Sequence, residues 1–181
     1  RQSIPNFDYS MAPGVAKTYK KEYFKGLTQH LQIAPALSHS DAEALAAAVK
    51  TDIKTVPALG NSEAYNAELI SYLPAHQKEH GYQEISPELA AKAHDYAAET
   101  AYNETDKATY QAMEAFVHNL NTMNSRAGAQ VPFSSVNYGT DTSPEARMVI
   151  RNLLSATDAG LGDGETPIFP VQIFKVKEGV N

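Results

Sequence analysis

Residues 130–160 read QVPFSSVNYGTDTSPEARMVIRNLLSATDAG, and this stretch decides the fold class. Its first nine residues, 130–138, are rich in β-branched and aromatic side chains and predict a strand. A polar turn follows at 139–142. Ser143-Pro144-Glu145 is a typical helix start, because serine caps a helix and proline suits its first turn. The apolar pattern beyond it predicts a helix that ends near Gly160.

A second extended run follows this helix. The loop GLGDGETP leads into residues 168–176 (IFPVQIFKV), which predict another strand. Two strands joined by a helix are typical of a βαβ unit with parallel strands. The sequence therefore predicts an α/β fold that ends in a strand–helix–strand region at 127–181.

The region upstream, 1–126, is predicted to be mainly helical after a loop at 1–12. Helices are expected at 13–34, 40–54, 61–73 and 86–123. Ser40-Asp41-Ala42-Glu43 is a predicted capping box, and Pro74 is expected to end the third helix. The last helix is expected to break near 103–105, because its length exceeds that of the usual globular helix.

The first of these helices carries two distinct faces. Its apolar residues repeat every four positions and predict a buried stripe: Val15, Tyr19, Tyr23, Leu27 and Leu31. Its lysines repeat on a neighbouring face: Lys17, Lys21 and Lys25, with Lys20 beside them. A basic cluster near aromatic rings suits a triphosphate, although the solvated face of an amphipathic helix explains the lysines more simply.

Composition narrows the function classes. The 181 residues carry 15 basic and 21 acidic side chains, a net charge of −6, which gives no overall basic field for nucleic acid or an anionic membrane. The absence of cysteine excludes disulfides, thiolate metal sites and a thiyl radical within these residues. No apolar run approaches the roughly 20 residues of a membrane span. We expect a soluble, cytoplasmic protein whose two ends are cut from a longer chain.

The strand at 130–138 carries an unusual polar group. Gln130, Ser134, Ser135 and Asn137 stand among apolar neighbours, and a buried hydroxyl or amide without a partner costs about 1–3 kcal/mol. These side chains bond either one another and nearby backbone, or a ligand at the carboxyl end of a parallel strand. The sequence leaves both interpretations open.

A second motif points to metal chemistry. His76-Gln77-Lys78-Glu79-His80 matches the H-x-x-E-H pattern of zinc hydrolases, in which two imidazoles bind the metal and the glutamate serves as general base. Pro74 before it and Gly81 after it leave little helix to hold the ligands. An exposed polar turn is the simpler interpretation, and we predict no metal site in this chain.

Three long stretches resemble the catalytic subunit of anaerobic (class III) ribonucleoside-triphosphate reductases. They are QSIPNFDYSMAPGV at 2–15, AFVHNLNTMNSRAGAQVPFSSVNYGTDTSPEARMVI at 115–150 and TDAGLGDGETPIFPVQIFKVKEGVN at 157–181. The resemblance spans nearly the whole chain and is strongest over 115–181.

The resemblance implies a helix-rich fragment of a ten-stranded glycyl-radical-type α/β barrel. In that family, a C-terminal glycyl radical passes to a cysteine, and ribonucleoside triphosphates become deoxyribonucleoside triphosphates with formate or a thiol system as reductant. An activating enzyme that uses S-adenosylmethionine and an iron–sulfur cluster installs the radical, and zinc binds a C-terminal region. This chain lacks the radical residues, so no catalytic residue and no cofactor are expected within it.

The resemblance also implies roles for parts of this chain. The helices of 1–126 would form the homodimer contact and the site for a deoxynucleotide effector. The implied effector residues are Lys17, Lys21 and Phe133, and the implied substrate residues are Ser134, Ser135 and Asn137. Gly139, Thr140, Asp141 and Thr142 would form a specificity loop between the two sites. Two alternatives remain, a helical protein-interaction module without a ligand and a zinc hydrolase built on His76, Glu79 and His80.

Overall fold

A computed structural model describes residues 2–80, 85–123, 130–162 and 164–181, except for the side chains of 78–80. The described residues form three strands and five helices in the order β1 (Gln2–Ile4), α1 (Phe7–Ile33), α2 (His39–Asp52), α3 (Ser62–His80), α4 (Pro87–Thr122), β2 (Ser134–Tyr138), α5 (Pro144–Ala159) and β3 (Val171–Phe174). The predicted helix-rich α/β class is confirmed. Within the described part of the chain, no helix combines the length and the apolar character that crossing a bilayer requires.

The chain divides into two compact units. One contains residues 1–15 and 106–181, and we call it the sheet unit; the other contains residues 16–105, and we call it the helical unit. The predicted division into 1–126 and 127–181 falls within 124–129, outside the described residues, and stays a prediction.

The sheet unit contains a parallel sheet in the order β1-β2-β3. In β2, Ser135 pairs with Ser3 of β1 and with Val171 of β3. The predicted βαβ unit is confirmed, although both of its strands are shorter than the extended stretches of sequence. The predicted loop at 1–12 is wrong, because residues 2–4 form β1. That strand is exposed and three residues long, so pairing with β2 defines it and no local pattern does.

Helix α5 begins after Ser143 and ends at Ala159, as the sequence predicted. The Ser143 hydroxyl accepts a hydrogen bond from the backbone N–H of Ala146, and the helix buries Val149 and Leu153. A side-chain relay then ties α5 to two strands. The Tyr138 hydroxyl donates to Gln172 Oε1 at 2.9 Å, and Gln172 Nε2 donates to Thr157 Oγ1 at 2.7 Å. The helix is therefore fixed against the sheet by polar contacts as well as by packing.

The helical unit has a core built from all four of its helices. The predicted apolar stripe of α1 is confirmed, since each of its five members is buried. Its last four members pack against apolar residues of α2 and α3 and a run of small residues on α4, whereas Val15 belongs to the sheet unit. A Cβ atom at Gly26 would lie 3.1 Å from the Cα atom of Ala97, so glycine and alanine let α1 and α4 approach closely.

Two helices extend past the ends that local signals predicted, and a third continues through an expected break. The expected start of α1 at Pro13 is wrong, because the helix begins at Phe7 and includes that proline. The expected end of α3 at Pro74 is also wrong, because Gln77 beyond it is buried and accepts a hydrogen bond from the backbone N–H of Ile85. The expected break in α4 is absent, because buried Thr105 continues its inward face.

The cap of α2 also differs from the predicted one. Ser38 is the N-cap residue, and its hydroxyl accepts from the backbone N–H of Asp41 and donates to the Asp41 carboxylate at 2.6 Å. The predicted capping box at Ser40 and Glu43 is therefore two residues too late. A serine and an acid three residues apart occur in both places, so the motif alone could not choose between them.

A buried imidazole joins three helices of the helical unit. His94 on α4 lies 2.8 Å from the Tyr23 hydroxyl through Nδ1 and 2.8 Å from the Ser62 hydroxyl through Nε2. Burial lowers the pKa of His94, and the nearby Asp95 partly opposes that shift. Burial also raises the pKa of Tyr23, so the phenol stays neutral beside the ring.

We predict that the chain loses stability as the pH falls below about 6.5, the ordinary pKa of histidine. Below that pH the histidine of the unfolded chain binds a proton, whereas the buried His94 ring of the folded chain resists protonation. The free energy of unfolding therefore decreases by at most about 1.4 kcal/mol per pH unit for one such group. Urea unfolding at about pH 7.5 and about pH 5.5 measures this slope, which H94Q should reduce. His30 also has a pKa lowered by burial, so H30Q should reduce the slope as well. H39Q, which removes an exposed imidazole, is the matched control. An equal slope in wild type and H94Q would contradict the prediction.

Candidate functional site

The candidate site lies at the carboxyl edge of the parallel sheet, where the ends of all three strands meet. Beyond β1 come Asn6 and Asp8, beyond β2 comes the loop 139–142, and beyond β3 comes the segment 175–181. Parallel sheets place their ligands at this edge. All of these residues belong to the sheet unit.

Asp8 is the central side chain of this edge. It is fully buried, and its Oδ2 atom accepts hydrogen bonds from the backbone N–H of Gly139 at 2.8 Å and of Asp141 at 3.2 Å. Its Oδ1 atom is also buried and has no hydrogen-bond partner among the residues that the structure describes. One oxygen thus fixes the loop, and the other remains an acceptor.

Asn181 fixes the same loop from the other side. Its Nδ2 atom donates to the carbonyl oxygen of Gly139 and, at 3.0 Å, to that of Lys175, while its Oδ1 atom accepts from the backbone N–H of Lys177. The Lys175 ammonium in turn donates to Asn6 Oδ1 at 2.7 Å. The segments that follow β1 and β3 are therefore bonded to each other and to the loop.

Gly139 occupies a position that requires glycine. Its φ angle is +115°, which side chains disfavour, and an added Cβ atom would lie 2.8 Å from Cε2 of Phe174 and 2.9 Å from the carbonyl oxygen of Lys175. The backbone of β2 therefore turns into the loop directly beside the end of β3, where no side chain fits.

The rest of the loop is connected to the start of α5. Asp141 Oδ1 accepts from the backbone N–H of Ser143 at 2.9 Å, directly before the capped first turn. Between the bonded residues lie the half-buried Thr140 and the exposed Thr142. Asp141 and Glu145 place two carboxylates around this helix start, which disfavours a phosphate there and favours a hydrogen-bond donor.

The predicted substrate residues differ in their surroundings. Ser134 and Ser135 are buried in β2, and the Ser134 hydroxyl donates to the carbonyl oxygen of Pro132 at 2.9 Å. Asn137 lies two residues before Gly139, and its Oδ1 atom is buried without a hydrogen-bond partner in the described ranges. Local bonding therefore accounts for Ser134, whereas Asn137 has the unmet acceptor expected of a side chain that meets a ligand. The substrate roles of all three residues stay predictions.

The predicted effector residues lie in separate parts of the chain. Lys17 and Lys21 are exposed, one turn apart on α1, in the helical unit. The Lys21 ammonium lies 3.5 Å from the carboxylate of Glu22, an acid that the sequence analysis passed over. Phe133 lies at the amino end of β2, in the sheet unit, and its ring packs edge-on against Phe169. The shared effector role of these three residues stays a prediction.

The zinc motif lies at the end of α3, so the expected exposed polar turn is instead helical. His76 is half-buried, stacks on Tyr72 with a centroid separation of 4.2 Å, and lies 3.7 Å from an Asp52 oxygen. The side chains of Glu79 and His80 lie outside the described residues. Among the side chains that are described, no three of the metal-binding types form a cluster.

Sequence reasoning missed Asp8, Asn6 and Asn181. Asp8 and Asn6 fell within a predicted loop, and Asn181 lies beyond the last predicted strand. Asp8 stands in the first turn of α1, whose start the sequence placed at Pro13, so no local signal distinguished it. Recognising its partner required β1, which the sequence pattern did not reveal.

Comparisons with known proteins place this chain in a class of enzyme. The chain matches the model of the anaerobic ribonucleoside-triphosphate reductase family over residues 1–181, so it belongs to that family. It is 42% identical over 82 residues to the anaerobic ribonucleoside-triphosphate reductase of Enterobacteria phage T4, a segment that covers 45% of this chain and 13% of the phage protein. It is 33% identical over 82 residues to the reductases of Salmonella typhimurium and Escherichia coli, again over 45% of this chain. The chain matches only 11% of the length of each bacterial protein.

We predict that Gly139→Ala destabilises the chain more than Gly162→Ala does. Both glycines have positive φ angles, but a Cβ atom at Gly162 would meet no atom within 4 Å. The difference between the two losses of stability therefore reports the clash of the added methyl group with Phe174 and Lys175. Overpacking of this kind usually costs about 1–3 kcal/mol. Urea unfolding of the two variants measures it, and equal losses of stability would contradict the tight approach of β2 to β3.

Proposed function

We propose that this chain is part of an anaerobic ribonucleotide reductase that converts ribonucleoside triphosphates to deoxyribonucleoside triphosphates by glycyl and thiyl radical chemistry. The family match over residues 1–181 supports this proposal. The chain has no cysteine, so the thiyl radical belongs to another region of the complete enzyme. These residues contribute nucleotide binding and contacts of a homodimer, and the complete enzyme acts in the cytoplasm.

The substrate side of the proposal rests on one observation above all: the unmet acceptor of Asn137 at the carboxyl edge of the sheet. Its buried Oδ1 atom lies beside a loop that Asp8 and Asn181 fix, and Asp8 carries a second unmet oxygen. Acceptors without partners suit ligands that bring donors, and the hydroxyl groups of a ribose are donors of that kind. The phosphates would then lie away from the carboxylates of Asp141 and Glu145.

The effector side rests on the lysines of α1. Lys17 and Lys21 are four residues apart, so both reach the same side of the helix, and both are exposed, although Lys21 also forms an ion pair with Glu22. The loop of Gly139, Thr140, Asp141 and Thr142 would transmit the identity of the bound effector to the substrate. Such coupling requires different loop contacts with different effectors.

The described sheet fits a portion of the proposed ten-stranded barrel. Within that sheet, β1 and β3 each pair on one side only. Val171, Ile173 and Phe174 of β3 expose between 40% and 53% of their surface. Unpaired edges and exposed apolar strand residues call for further strands, which closure of the barrel would supply. The activating enzyme with its S-adenosylmethionine and iron–sulfur cluster, and the zinc of the reductase, act outside these residues.

We predict that Lys21→Ala weakens the binding of a deoxynucleoside triphosphate to the complete reductase by about fivefold. Lys21 is largely exposed, and solvent screens its charge, so a larger loss is not expected. Equilibrium binding of each deoxynucleoside triphosphate and each ribonucleoside triphosphate measures the effect.

Lys107→Ala, which removes an exposed lysine of α4, is the matched control and should leave binding unchanged. Unchanged affinity in the Lys21 variant would remove that residue from the effector site. If no nucleotide bound the complete wild-type enzyme, the proposed function itself would be wrong, and a helical interaction module would explain the lysines better.

A further inference from the structure

We infer that Asp8 is a positioning residue for the loop 139–142 and thereby determines which ribonucleotide the reductase prefers with a given effector. This inference rests on the proposed function, in which that loop lies between effector and substrate. It adds a role for a residue that neither the lysine cluster nor the polar strand contains.

The geometry gives Asp8 direct control over the loop backbone. Its Oδ2 atom accepts from the N–H groups of Gly139 and Asp141, at 2.8 and 3.2 Å. These two residues alternate with Thr140 and Thr142, so the position of the carboxylate sets where both threonines are presented. Asn181 bonds the Gly139 carbonyl, and Asp141 continues through its own carboxylate to the cap of α5.

The chemistry makes this attachment strong and directional. A carboxylate that accepts from backbone N–H groups forms charge-assisted hydrogen bonds, which are roughly twice as strong as neutral ones. Asp8 is also fully buried, so water does not compete for the two donors. The loop is thereby set relative to the segment after β1, 131 residues away in sequence.

Because Oδ1 of Asp8 has no partner among the described residues, an amide nitrogen in its place breaks no hydrogen bond. Two substitutions can therefore separate the position of the acceptor from its charge. Asp8→Asn keeps an oxygen that accepts from the same two N–H groups, although the bonds become neutral. Asp8→Ala removes the acceptor altogether. A positioning role therefore predicts a graded effect, with the asparagine variant between wild type and the alanine variant.

The experiment measures base selectivity in the complete, activated reductase. For each deoxynucleoside triphosphate effector at saturation, the ratio of kcat/KM between the preferred ribonucleotide and its competitors is compared across variants. We expect this ratio to fall about tenfold in Asp8→Ala and about threefold in Asp8→Asn, while effector affinity changes less than about twofold. Asn152→Ala is the control, because it removes buried side-chain hydrogen bonds from α5 in the same unit without touching the loop.

Retained selectivity in Asp8→Ala would overturn the inference, and so would equal losses in Asp8→Ala and Asn152→Ala, since general loosening would then explain both. Equal losses of selectivity in Asp8→Asn and Asp8→Ala would also overturn it, because the two hydrogen bonds from the loop backbone would then not determine the selectivity. If Asp8→Ala does not fold, the test is the selectivity of Asp8→Asn compared with that of Asn152→Ala. A loss of about threefold supports the inference, and no loss rejects it. A wild-type enzyme that binds effectors without any change in base preference would instead refute the proposed coupling.

Discussion

The hydrogen bonds from the loop to the buried Asp8 carboxylate organise the carboxyl edge of the sheet. A buried carboxylate is costly unless donors surround it, and here two backbone N–H groups of one short loop supply them. The loop in turn begins at Gly139, a position beside the end of β3 that only a residue without a side chain can occupy. The start of α5 follows directly, so the position of one carboxylate affects strand, loop and helix together.

The same constraint explains why the edge suits a ligand with hydrogen-bond donors. With Oδ2 of Asp8 engaged, the remaining buried oxygens of Asp8 and Asn137 are acceptors without partners among the described residues. The carboxylates of Asp141 and Glu145 lie at the loop and at the start of α5, while Lys175 supplies an ammonium group to the same edge. Under the proposed function, such an edge would suit the sugar of a nucleotide better than its phosphates, which need basic residues.

Local patterns in the sequence predicted the parts of the fold that depend on nearby residues. The four-residue repeat from Val15 to Leu31 predicted the buried face of α1, and Ser143 with Pro144 predicted the start of α5. The helix ends near Pro13 and Pro74 and the strand β1 could not be predicted, because distant contacts decide them. For the candidate site, the polar strand pointed to Asn137 and to the loop, but Asp8 has meaning only once β1 pairs with β2.

The separation of these contacts along the chain bears on how the protein is made. The N–H of Gly139 is bonded by a residue 131 positions earlier, and its carbonyl by a residue 42 positions later. During synthesis on the ribosome, β1 emerges before β2, and the whole helical unit separates these two partner strands along the chain. Closing so long a loop is slow compared with forming local helices. The helical unit, whose residues are contiguous, can therefore be complete before the edge that carries the loop begins to assemble.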